Sequence, residues 1–357
     1  MEHSLDLTYH WAGFSALVVF VIAYAFVMAE EFTHLRKSKP VVLAAGLIWG
    51  MIAIAYSNTP HYEMVEHEIR HSFLEYTELA FFLLVAMTYI NALEERNVFN
   101  SLKSWLIKNQ FSYRQLFWIT GVLAFFLSPL ADNLTTALVL CAVVVAVGSS
   151  SPKFVGLACV NIVVAANAGG AFSPFGDITT LMVWQAGQLD FLQFFALVIP
   201  SVVNYIIPAS IMHFFVSDHK PDVAETSVTI KYGGKTIILL GLLTIVTAVS
   251  FHNFLHLPPV FGMMTGLAYL QLYSFYIKIS VKDIEEQKYD FFENVARVEW
   301  DTLLFFFGVI LSVGGLGFIG YLEYVSEFMY TDLGATTANV LVGILSAIVD
   351  NIPVMFA

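Results

Sequence analysis

Apolar runs, several of them near bilayer length, alternate with short polar stretches along most of this chain. They cover Trp11 to Met28, Val41 to Tyr56, Phe73 to Leu93, Leu116 to Phe126, Ala137 to Val147, Phe154 to Ala168 continuing to Ala186, Phe191 to Val216, Thr236 to Phe251, Val260 to Ile277 and Trp300 to Tyr321. Runs of about 18 or more apolar residues predict membrane-spanning helices. Because the runs are continuously apolar and do not alternate, they predict a helical bundle and not an outer-membrane barrel. Between them lie a basic turn, Arg36 to Pro40, a polar loop, Asn58 to Ser72, and an amphipathic connector, Glu94 to Arg114. Further on come a polar linker, Ser217 to Lys235, a charged segment, Lys278 to Glu299, and a turn, Leu322 to Gly334.

Three places break the pattern. Leu127-Ser128-Pro129-Leu130-Ala131-Asp132-Asn133-Leu134-Thr135-Thr136 sets an acid between two apolar runs. A carboxylate at bilayer depth costs about 2.5 to 3.5 kcal/mol on insertion scales, so it persists where it faces a cavity, an ion path or a partner. The same text returns as Leu345-Ser346-Ala347-Ile348-Val349-Asp350-Asn351-Ile352-Pro353. The third break, Gly169-Gly170-Ala171-Phe172-Ser173-Pro174-Phe175-Gly176-Asp177-Ile178-Thr179-Thr180, interrupts a span midway. Its glycines and proline release backbone groups that a helix would pair, and unwound backbone is tolerated at membrane depth only where it lines a cavity or is buried in protein.

The duplication extends beyond these tips. Glu75-Tyr76-Thr77-Glu78 and Glu299-Trp300-Asp301-Thr302 each precede a Phe-rich run. Between the two copies the chain crosses the bilayer an odd number of times, counting each tip as a hairpin that enters and leaves on one face, so the copies are inverted. Lysine and arginine distribution agrees with that count. With the N-terminus outside, every one of the 16 Lys and Arg except Arg70 falls in a cytoplasmic segment, as basic residues in short loops do. The expected architecture is an all-α membrane protein, an inverted-repeat secondary transporter with two re-entrant hairpins and broken helices. Its parts are N-terminal helices at 1–72, a first repeat at 73–216 with a hairpin at 116–148 and a broken helix at 154–186, a linker at 217–235, and a second repeat at 236–357 with a hairpin from 335. Equivalent repeats predict a second Gly-rich break roughly 40 residues past Asp350, so the expectation is either a truncated second repeat or an incomplete second half-site.

Composition narrows the function. The chain is 58% hydrophobic and 12% charged, with mean hydropathy +0.74. A formal net charge of −12 excludes a nucleic-acid role in any ordinary sense. Cys141 and Cys159 fall inside predicted helices and read as packing residues. Met1 to His10 lacks the basic region of a cleavable signal peptide.

A small hard cation takes oxygen ligands, and the breaks supply them. Asp132, Asn133, Thr135, Thr136, Asp177, Thr179, Thr180, Asp350 and Asn351 are the candidate ligands, with no resident cofactor called for. Half-helix C-termini add partial negative charge, which also favours a cation. Burial favours the protonated form of a carboxylic acid and a bound cation the ionised form, so proton and cation compete for one carboxylate. That competition is sufficient for antiport.

These motifs, Ser128 to Thr136, Gly169 to Asp177 and Asp350 to Pro353, resemble the NhaD type of bacterial sodium/proton antiporter, in the superfamily that also holds sodium/dicarboxylate symporters. The resemblance runs from the third helix to the end. It implies a homodimer of inverted repeats in the bacterial inner membrane, exchanging cytoplasmic sodium or lithium for external protons by alternating access. It also leaves a sodium-coupled anion or metalloid transporter of the same superfamily as the alternative. In dicarboxylate relatives the hairpin tips read Ser-Asn-Thr and hold substrate carboxylates. Here Asp precedes Asn at both tips, and an acid repels a dicarboxylate.

Blander readings accompany each assignment. The threonines are able to bond their own helix carbonyls, Asn133 and Asn351 to cap half-helices, and Ser128-Pro129 and Ser173-Pro174 simply to set the breaks. Glu75 and Glu78 read as solvated, with Glu78 a proton-entry alternative alongside Asp301. His61, His67 and His71 suit a metal or a pH sensor, but a solvated loop explains them as well. An intramembrane aspartyl protease, the enzymatic alternative, lacks its expected motifs around Asp132 and Asp350.

Overall fold

The computed structural model describes residues 5–109, 111–148, 151–220, 228–280 and 289–348. Among these every regular element is helical, and nine helices are long and apolar enough to cross a membrane. This is the all-α membrane architecture expected from the apolar runs. The chain divides by packing into two units, one of residues 1–80 with 299–357 and one of residues 81–298.

In the first unit α1 (Trp11–Met28) and α14 (Trp300–Phe318) both pack against α3 (Ser38–Tyr56). Small residues set the spacing, since a Cβ on Gly308 would lie 2.5 Å from the backbone of Val41. The indole of Trp49 donates to the carbonyl of Leu311 at 2.8 Å and the hydroxyl of Ser38 to Asp301 at 2.5 Å. Asp301 thus has a structural partner on α3. The segment before α1 is tied down by the amide of Leu7 on the carbonyl of Ile319 and by the Tyr321 hydroxyl on the carbonyl of Thr8.

Two expectations fail here. The polar stretch Asn58 to Ser72 is a loop only as far as His61, because α4 (Tyr62–Glu95) begins at Tyr62. Its polar side chains sit on a helix face, where Glu66 pairs with Arg70 one turn on at 2.7 Å and His71 lies 3.6 Å from Glu75, while Val65 and Ser72 face inward. Polarity marked solvation, not loss of helix. The stretch Leu322 to Gly334 is likewise not a plain turn. After Gly320, whose φ of 102° ends α14, it forms α15 (Tyr321–Glu327) and a π-helical turn, Phe328–Asp332. No proline lies in it to prevent winding. The last described helix is α16 (Ala335–Ile348).

The second unit holds the broken elements. α5 (Val98–Lys108) is the amphipathic connector, and α6 (Tyr113–Ala131) starts from a capping box in which Ser112 and Gln115 satisfy each other's backbone amides. At 19 residues α6 is about 28 Å long and at 15 residues α7 (Asn133–Val147) is about 22 Å, so only the first has bilayer length. α8 (Pro152–Gly170) runs parallel to α6. Tyr113 meets Phe154 at one end (ring centroids 4.3 Å), the Asn161 amide donates to the Phe117 carbonyl midway, and Ser128 donates to the Ala166 carbonyl near the other. α7 returns beside both, and α10 (Val198–His213) completes a core that includes Phe117, Leu140, Ile162 and Tyr205. α11 (Gly234–Leu255) and α12 (Pro259–Ser280) pack through Gly262 and Gly266 onto Ala248 and Thr244. α13 (Phe291–Ala296) is joined to the end of α4 by Asn294, whose amide donates to Glu95 at 2.6 Å.

Candidate ion site

Parallel packing of α6 and α8 brings two chain breaks to one level. α6 ends at Asp132 and α8 at Gly170, and the chain restarts as α7 from Asp132 and as α9 (Ile178–Gln185) from Asp177. Two helix C-termini and two helix N-termini therefore meet within one unit. Both aspartates are N-caps. Asp132 Oδ1 accepts the Thr135 amide at 2.8 Å and its Oδ2 the Thr135 hydroxyl at 2.8 Å. Asp177 Oδ1 accepts the Thr179 amide at 2.9 Å and the Thr179 hydroxyl at 2.7 Å.

Asn133 joins the breaks. Its side-chain amide donates to Asp177 Oδ2 at 2.7 Å and to Asn167 Oδ1 at 3.0 Å, and its backbone amide donates to the Gly176 carbonyl at 3.0 Å. Ser173 donates to the carbonyl of Pro129 at 2.9 Å, and Thr180 lies 2.8 Å from the carbonyls of Ser173 and Asp177. Backbone approaches backbone so closely that a Cβ on Gly170 would stand 2.6 Å from the Gly176 carbonyl oxygen, and one on Gly169 would stand 2.1 Å from that of Phe125. The Phe125 carbonyl is the one left without its helical donor by Pro129.

Asp132 has φ 56° and ψ 160°, a region occupied almost only by glycine, so the backbone there stores about 1–3 kcal/mol. A non-glycine residue held in such a conformation at the break of a transmembrane helix points to function. Thr136 supplies a second indication, because it is 4% exposed and its hydroxyl has no hydrogen-bond partner among the described residues. An unsatisfied buried hydroxyl costs about 1–3 kcal/mol unless something occupies it.

The second unit thus gathers Asp132, Asn133, Thr135, Thr136, Asp177, Thr179 and Thr180. Asp350 and Asn351 lie outside the described residues. Asn167 was missed in the sequence because it sits inside an apolar run; a lone amide there, between Asn161 and Gly169, was the available signal. Ser128 and Ser173, read as break-setting residues, tie α6 to α8 and to the break after it. His67 and His71 stand one turn apart on α4, and among the described residues no group of three His, Cys, Asp or Glu is arranged to hold a metal ion. Cys141 and Cys159 are free thiols where α7 meets α8, with the Cys141 sulfur 4.0 Å from the Cys159 carbonyl.

Residues 11–357 match the CitMHS family, described as citrate transporter. The NhaD Na+/H+ antiporter of Vibrio cholerae is 53% identical over 99% of this chain and 79% of its own length. The NhaD antiporters of Alkalimonas amylolytica and Halomonas elongata are 52% and 51% identical, again over 99% of this chain, and over 77% and 76% of their own lengths. A chain that keeps about half its residues identical over nearly its whole length belongs to the NhaD family of antiporters within the CitMHS transporters.

Proposed function

We propose that this chain exchanges sodium or lithium for protons through the site built on Asp132, Asn133, Thr136 and Asp177. It is a multi-pass membrane transporter and not an enzyme, and its NhaD relatives are named Na+/H+ antiporters. The observation that carries the site is the bond from Asn133 to Asp177, which makes the two breaks one polar unit. Around it, a dehydrated cation finds carboxylate, amide and hydroxyl oxygens together with the carbonyls at the ends of α6 and α8, where the helix dipoles add negative potential. Protonating a carboxylate withdraws that charge, so proton and cation exclude each other.

The finer reading follows from the inverted repeats. Asp350 and Asn351 would supply the opposing half of the site, and alternating access would carry cytoplasmic sodium out and external protons in. The placement proposed is the bacterial inner membrane, with the chain as a homodimer. Everted membrane vesicles carrying a pH-sensitive dye test the core of this. Sodium or lithium added to energised vesicles should collapse the pH gradient, and Asp132→Asn or Asp177→Asn should abolish the response. Wild-type response from either variant refutes the site.

The family description, citrate transporter, favours one other reading, sodium-coupled uptake of an organic anion. The acid at the Asp132 tip opposes it by repulsion. Uptake of labelled citrate separates the two, and the antiport reading expects none.

A further inference from the structure

Where α6 begins and α10 ends, an open pocket of about 640 Å³ lies within the second unit, with Ser112, Arg114, Trp118, His213, Asp218 and Lys220 in its lining. The geometry points to a binding site for the head group of an anionic phospholipid, its phosphodiester held by Arg114 and Lys220 and its acyl chains laid along α10. The site is separate from the helix breaks, because Arg114 and Asp132 stand at opposite ends of α6, about 27 Å apart along the helix.

Depth is the first argument. Tyr113–Ala131 and Phe191–His213 both have the length and hydropathy of spans, so the pocket sits where two spans end, at the level of the head groups. Just past His213, Phe214 and Phe215 are 81% and 58% exposed, and Ile211 before it is 59% exposed. Acyl chains cover such side chains at a gain that water does not offer. The lysine and arginine distribution puts this end of both spans on the cytoplasmic side, where basic pockets between helices meet anionic head groups.

The donors are the second argument. Arg114 gives Nη2 to the Val216 carbonyl at 3.2 Å, and its Nε has no hydrogen-bond partner among the described residues. Neither Arg114 nor Lys220 forms an ion pair among those residues. A guanidinium that holds one carbonyl keeps further N–H groups, and its planar fork suits a phosphate. His213 Nδ1 accepts the Trp118 indole N–H at 3.0 Å, so the neutral ring carries its proton on Nε2 and adds a third donor. Asp218 is the acid among the described lining residues, and its Oδ1 accepts the Ser112 hydroxyl at 2.8 Å. Two cations against one anion leave this lining positive by one charge, and the N-terminal end of α6 adds to it. A zwitterionic head group brings a cation of its own to that charge, whereas phosphatidylglycerol brings none. The pocket therefore selects the anionic lipid.

Brominated lipids quench nearby tryptophan, and Trp118 lines the pocket. Purified full chain in mixed micelles should lose more fluorescence to brominated phosphatidylglycerol than to brominated phosphatidylcholine at equal mole fraction. Trp118→Phe should remove most of that excess. Arg114→Gln and Lys220→Gln should each weaken the preference for phosphatidylglycerol about fivefold. Lys220 is exposed, so its variant should unfold at the wild-type temperature and keeps the test open if Arg114→Gln folds poorly. Inorganic phosphate in excess should leave the quenching unchanged. Equal quenching by the two lipids, an excess that persists in Trp118→Phe, a preference unchanged in Lys220→Gln, or displacement by inorganic phosphate overturns the inference.

Discussion

Replacing Asp132 by glycine separates the two roles the structure gives this residue. Its φ of 56° and ψ of 160° store about 1–3 kcal/mol that glycine does not pay. Against this relief, exchanging an aspartate N-cap for glycine costs a few tenths of a kcal/mol, and the freer unfolded chain costs about 0.5–1 kcal/mol. The Thr135 hydroxyl, which loses Asp132, has the carbonyl one turn back as a replacement acceptor. The sum runs from about 0.5 kcal/mol destabilising to about 2 kcal/mol stabilising. Asp132→Ala keeps the strain and loses the cap, about 1 kcal/mol of further loss. The glycine variant should therefore melt above the alanine variant by a few degrees, and both should lack any sodium response. Thermal unfolding of detergent-purified protein followed by tryptophan fluorescence, with vesicle assays alongside, measures both. An alanine variant as stable as the glycine one shows that the backbone is not strained. A glycine variant that still transports shows that the carboxylate is dispensable.

Other consequences follow from the same geometry. Asn133→Ala removes one bond to a carboxylate, about 1.5–3 kcal/mol, and one to a neutral amide, about 1 kcal/mol. It should raise the half-maximal sodium concentration tenfold or more, whereas Asn167→Ala, which breaks only the weaker of those two contacts, should raise it less; equal effects would contradict the bridge. Gly169→Ala pushes a methyl onto the Phe125 backbone and should lower stability by about 1–3 kcal/mol. On the same helix Gly156→Ala meets nothing within 4 Å and should leave stability unchanged or raise it; a reversal in their melting temperatures would sink the close-packing argument. Tyr289, outside the spans, is buried against the guanidinium of Arg96, 4.8 Å from its ring centroid, and its hydroxyl has no hydrogen-bond partner among the described residues. Burial first and the Glu95 carboxylate second hold its pKa above the ordinary phenol value. Its stabilisation is thus complete below about pH 10 and fades as the pH climbs through the folded-state value. Unfolding curves from pH 9 to 11 should show wild type losing ground to Tyr289→Phe, and parallel curves would refute the assignment.

What was legible in the sequence is what the bilayer and the backbone dictate locally. Apolar run length reports spans because hydrocarbon thickness fixes how many helical residues are needed. The Asp132 and Asp177 breaks were visible because Pro129, Pro174 and paired glycines interrupt those runs beside an acid that apolar surroundings make expensive. Polarity misled where it stood for solvation, as in Tyr62 to Ser72, since a charged helix face and a loop look alike when hydrophobicity is the only signal. Tertiary structure alone decided that α6 and α8 lie parallel, which no local pattern encodes because neighbours across a bundle are chosen by packing of small residues such as Gly169 and Gly170. That choice brings Asn133 onto Asp177, recruits Asn167 from an apolar run and leaves the Thr136 hydroxyl without a partner among the described residues. The left-handed backbone of Asp132 belongs there too: a residue accepts a conformation suited to glycine only when contacts distant in sequence hold it.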